Sequence, residues 1–85
     1  MSAYALNKLL REVNRNPQTR EQFFSNAEDV AKHYDLSEDE RDALLRKDVG
    51  ALYRMGVHGL ILRPFTLLQG MSEPAYLSAI RGEPA

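Results

Sequence analysis

Apolar residues recur along this chain at helical spacing. Leu6, Leu9, Leu10 and Val13 stand at i, i+3, i+4 and i+7 between Ala3 and Arg15, with Lys8, Arg11, Glu12 and Arg15 elsewhere. That spacing predicts an amphipathic helix with one buried face. Asn16-Pro17 ends it, because proline disfavours α geometry in the residue before it. The same pair starts a short second helix, with Asn16 as N-cap and Pro17 at the first helical position. Glu21, Phe23 and Phe24 lie on that helix. Asn26 caps a third, from about Ala27 to His33, which presents Val30, Ala31 and Tyr34.

Ser37-Glu38-Asp39-Glu40 has the form of a capping box, in which Ser37 caps and Glu40 returns the bond. The helix it opens is expected to reach about Arg46 and to bury Leu44 and Leu45. Arg41, Arg46 and Lys47 sit toward the end that attracts positive charge. Asp48 caps the next helix, with Ala51, Leu52 and Met55 inside and Gly56 as a left-handed stop. Val57 to Gln69 reads as a further helix, kinked or split near Leu60 because Pro64 removes a backbone bond. Gly70 ends it. Ser72 caps a last helix with Tyr76, Leu77 and Ile80 on its inner face, and Gly82-Glu83-Pro84 is a stop. No stretch alternates as a strand would, and no repeat, low-complexity tract or linker interrupts the chain. The expectation is an all-α fold: one compact domain, residues 1–85, of six or seven short helices.

A chain of 85 residues hides roughly 60% of its surface on folding, so its core is thin and contact with another protein would stabilise it. The net charge of −1 argues against nucleic acid as the main ligand, since phosphate binding needs a basic field. It also argues against a polybasic membrane anchor. The longest apolar-rich run, Val57 to Met71, is broken by Arg63 and Pro64 and is too short to span a bilayer. The start of the chain lacks the basic and apolar regions of a signal peptide. There are no cysteines, hence no disulfides and no thiolate chemistry. A cytoplasmic location is expected.

Charge changes the picture in one further way. Residues 1–48 hold 8 basic and 10 acidic residues, whereas residues 49–85 hold only Arg54, Arg63, Arg81, Glu73 and Glu83. Val49 to Met71 carries 13 apolar residues in 23, spread around the helix instead of along one stripe. A helix that is apolar all round must be buried on all sides. Leu60, Ile61, Leu62, Phe65, Leu67 and Leu68 therefore form either the central core element or a mixture of core and docking face.

Catalytic chemistry finds little support. The two histidines, His33 and His58, fall in different predicted helices with no second ligand at i+3 or i+4. His33 reads as a surface residue and His58 as a structural or interface group. The serines serve as caps or stand without a basic partner, so no nucleophilic triad is in view. The acidic run Glu38-Asp39-Glu40 is explained by the start of a helix. No catalytic, cofactor-binding or metal-ligating residue is expected in this chain. The expected role is docking, through Met55, Gly56, His58, Phe65 and Met71, residue types suited to a partner surface. Self-association through the same face is the alternative. A small enzyme centred on His58, with Tyr53 or Arg54, is the third reading.

The run Leu36-Ser37-Glu38-Asp39-Glu40-Arg41-Asp42-Ala43-Leu44-Leu45, then Asp48, Leu52-Tyr53-Arg54-Met55-Gly56-Val57-His58 and Gly70-Met71-Ser72-Glu73-Pro74-Ala75-Tyr76, with Phe23-Phe24 ahead of it, resembles the small subunit of protocatechuate 4,5-dioxygenase. That is the LigA-type subunit of the LigAB extradiol ring-opening dioxygenases. The resemblance implies an all-helical accessory subunit docking on a larger catalytic subunit, which holds the non-haem iron(II) and cleaves the ring. Two departures are expected to matter. The longer N-terminal extension of that family is absent, and Gln69 passes straight to Gly70 where the family carries a loop toward the active site. Similar helical domains also resemble the recognition part of borosin-like precursor peptides, which dock on a methyltransferase; here only Arg81 to Ala85 would follow as a tail.

Overall fold

The computed structural model describes residues 3–82. Seven helices follow one another: α1 (Ala3–Arg15), α2 (Pro17–Ser25), α3 (Ala27–Ala31), α4 (Glu38–Arg46), α5 (Val49–Arg54), α6 (Gly59–Leu68) and α7 (Glu73–Arg81). No strand occurs among the described residues, so the fold is all-α as expected. No helix there is long and apolar enough to cross a membrane. The expected stop at Glu83-Pro84 and the end of the short tail lie outside the described residues.

The starts and stops follow from the polar residues that the sequence places at them. The Asn16 side chain accepts from the backbone of Gln18 and Thr19, that of Asn26 from Asp29 and that of Ser72 from Ala75. Each of these satisfies an N–H that the first helical turn leaves without a partner. The capping box forms in full: Glu40 N–H donates to Ser37 Oγ at 3.1 Å, and Ser37 N–H donates to Glu40 Oε1 at 2.8 Å. At the other end of α5, Gly56 takes φ +107°. Val57 N–H then reaches the Leu52 carbonyl and Gly56 N–H that of Tyr53, each at 3.1 Å, a crossed pair of bonds that closes the helix. Gly70, at φ +76°, does the same for α6: Met71 N–H donates to the Thr66 carbonyl and Gly70 N–H to that of Leu67.

The core is one cluster. Leu6, Leu9, Leu10 and Val13 of α1 are fully buried and pack α1 on α2 and α6. Burying each such side chain is worth about 1.5–3 kcal/mol. Phe23 of α2 meets Phe65 of α6 edge to face, with ring centroids 5.7 Å apart. Leu44, Leu52, Leu62 and Tyr76 extend the cluster through α4, α5, α6 and α7. Leu45, expected inside, is only half-buried; Ala43 and Leu44 carry the inner face of α4. The third helix stops at Ala31, two residues short of the expected end.

A close approach joins α5 to α7. Gly50 is buried, and a Cβ on it would lie 2.6 Å from the Ala79 carbonyl oxygen. Backbone cannot step aside as a flexible side chain can, so α7 would have to move. Gly50→Ala is expected to cost about 1–3 kcal/mol through overpacking. The check is a lowered urea midpoint at unchanged slope.

Candidate docking surface

The helix α6 resolves the ambiguity of the apolar segment. It begins at Gly59, two residues later than the spacing predicts, because His58 caps it: the ring Nδ1 accepts from Leu60 N–H at 3.1 Å. Pro64 stays inside a continuous helix, so the expected split does not occur. The physical reason is placement. The proline deprives the Leu60 carbonyl of its helical partner, and Leu60 lies on the outside of the molecule, where water can satisfy that carbonyl.

At 3.6 residues per turn, Leu62, Phe65 and Thr66 share one arc of α6, and all three are buried. Leu60, Pro64, Leu67 and Leu68 share the opposite arc. Leu60 is 81% exposed and Leu67 57% exposed. The helix is apolar on both sides, yet only one side is covered within this chain.

The outer arc of α6 lies beside an outer stripe of α1. Tyr4, Lys8, Arg11 and Arg15 follow one another at i, i+4, i+7 and i+11 and are all exposed. Between the two helices runs a groove with two hollows of about 330 and 440 Å3, which share Arg11, Arg15 and Ile61 as lining. Asn7 and Asn14 set the spacing of its walls. Asn7 Nδ2 donates to the Gly56 carbonyl at 3.0 Å, and its Oδ1 accepts from His58 N–H at 2.9 Å. Asn14 Nδ2 donates to the Ile61 carbonyl at 2.9 Å. These bonds fix α1 against the start of α6. Arg20 holds the far end of α1, donating to the Val13 and Asn14 carbonyls at 3.1 and 2.7 Å.

The five residues expected to dock do not form one patch. Gly56 and His58 are exposed at the start of α6, next to the groove. Met55 is half-buried against the core. Met71 is half-buried at the other end of α6, where its carbonyl accepts from Arg63 at 3.2 Å; the Arg63 guanidinium also lies 5.0 Å above the Tyr76 ring. Phe65 is a correction: it is 0% exposed and belongs to the core. Leu60 and Leu67, which the sequence left as either core or docking face, stand on the exposed side of α6, and the cations of α1 beside them were not singled out by the sequence. The proline at Leu60 plus four was the available signal, since its ring is best tolerated where the orphaned carbonyl meets solvent.

The two histidines stand apart: His33 lines another hollow of about 740 Å3 with Tyr34 and Asp35, which meets the groove only at Tyr4 and Lys8. Burial, with the charge of Glu12 adding to it, raises the Tyr34 phenol above its ordinary range. Among the described residues, no three His, Cys, Asp or Glu side chains are grouped to hold a metal ion.

Residues 6–85 match the family described as "Aromatic-ring-opening dioxygenase LigAB, LigA subunit". The chain belongs to this family. It is also similar to a gallate dioxygenase of Pseudomonas putida (strain KT2440), with 35% identity over 80 residues. That alignment takes in 94% of this chain and 23% of the relative, so this LigA-family chain spans about a quarter of the relative's length. No solved structure matches it. The resemblance seen in the capping box, the Gly56 stop and the Gly70 turn is thus a family relationship. The Gln69-Gly70 junction of this LigA-family chain is closed by the tight crossed turn described above.

Proposed function

We propose that this chain is the small, non-catalytic part of an enzyme that opens aromatic rings, seated on a larger part that binds iron(II) and performs the cleavage. The observation that carries the reading is membership of the LigA-subunit family over residues 6–85. The gallate dioxygenase supports it: more than three quarters of that protein lies outside the matched segment, which leaves space for a catalytic body beside a domain of this kind. The outer arc of α6 gives the docking reading its physical basis, because leucines left in water gain free energy when covered. By the relative's name the substrate class is a polyhydroxylated benzoate such as gallate. The setting is the cytoplasm.

The test is reconstitution. The purified chain and the LigB-type subunit of the source organism are assayed separately and together for oxygen uptake on gallate and protocatechuate. The chain alone is expected to give none, and its addition to the larger subunit to raise turnover or prolong activity. Tightly held iron and diphenol turnover by the isolated chain would replace this reading with an enzyme centred on its own imidazoles.

A further inference from the structure

We propose that the face formed by α1 and α6 is covered by an apolar surface with an acidic rim on the larger catalytic part, and not by a second copy of this chain. This inference rests on the proposed function and names the chemistry of the partner's side. Two observations on the same face carry it. Exposed Leu60 and Leu67, with half-buried Pro64 between them, form an apolar strip, and Lys8, Arg11 and Arg15 stand along the helix beside it. None of these three cations has an acidic partner among the described residues, where the single ion pair is Lys32 with Asp29 at 2.9 Å.

The one carboxylate lining the groove is Glu12, a single acid beside three cations. The chain's dense acidic run is on α4, at Glu38, Asp39 and Asp42. A two-fold dimer brings the same patch of each copy together. On this face that would join two patches that each carry Lys8, Arg11 and Arg15 against the single acid Glu12, and bringing like-charged patches together across an interface is unfavourable. An acid-rimmed partner removes the conflict, pairs the cations and covers the leucines at once. Rim charges of this kind act on the rate of encounter and are screened by salt.

The experiment measures association of the full chain with the LigB-type subunit by surface-based kinetics at 50 and 500 mM NaCl. The variants are Arg11→Glu with Arg15→Glu, and as control Glu38→Lys with Asp39→Lys on α4. The expected result is a fall in association rate of about tenfold or more at high salt. The double arginine variant should bind about tenfold or more weakly even at low salt, while the control binds as the parent does. Sedimentation of the chain alone at 50 µM should give a monomer. Binding that ignores both salt and charge reversal would overturn this inference and leave the proposed function standing. So would a dimer of the isolated chain that Leu60→Asp abolishes. No association under any condition would overturn both. Circular dichroism melts within a few degrees of the parent confirm that the variants are folded.

Discussion

Phe65→Ala is expected to lower the stability of this domain by about 3–5 kcal/mol. The ring is wholly inside and rests against Phe23 at 5.7 Å between centroids, so its removal loses both transfer energy and an aromatic pair and leaves a cavity. Chains of this size have total stabilities of only about 0.05–0.15 kcal/mol per residue. The variant is therefore expected to be largely unfolded near 37 °C and to melt far below the parent in a thermal scan. Phe65→Leu should recover most of the loss. A Phe65→Ala protein that melts within a few degrees of the parent would mean that the α2–α6 contact is not the centre of the core. Phe65→Asp is unsuitable as a probe of docking, because it buries an unpaired carboxylate and destroys the fold that presents the surface.

The second large effect is expected on binding, with the fold intact. Leu60→Asp together with Leu67→Asp should weaken association with the LigB-type subunit by about 2–4 kcal/mol, roughly 30-fold to 1,000-fold. Both side chains stand mostly in water in the isolated chain, so substitutions there should shift stability by only about 0.5 kcal/mol. Titration calorimetry gives the first quantity and a melt the second. Pairing the two measurements separates a docking face from a core element, the distinction that the apolar composition of this segment leaves open. Unchanged affinity in a folded double variant would direct attention to the exposed ring of Phe24 or to Tyr53 on other sides of the molecule.

The two predictions concern residues on opposite arcs of one helix, and the sequence treats those residues alike. Leu60, Leu62, Phe65 and Leu67 are all large and apolar. What separates them is the neighbour each one meets, and neighbours of α6 come from α1 and α2, distant in the chain, as well as from the adjacent α5. The same holds for His58. Its imidazole reads from sequence as a structural or interface group, and the structure gives it a specific structural task, capping α6 while Asn7 holds its backbone. Gly50 shows the point from the other side: nothing local demands glycine within α5, and only the approach of α7 excludes a side chain. The family relationship, by contrast, was legible in the sequence, because capping and turn residues at fixed offsets are local features.

By itself the sequence determined the helices, most of their caps, the left-handed stops at Gly56 and Gly70, and the core face of α1. All of these depend on interactions within about four residues, where spacing and backbone chemistry suffice. Only the tertiary structure decided that Phe65 points inward, that Leu60 and Leu67 stand in water, and that the α1 cations border them. Those facts depend on which helix packs against which, a question of long-range burial that a one-dimensional pattern with apolar residues on every side cannot answer.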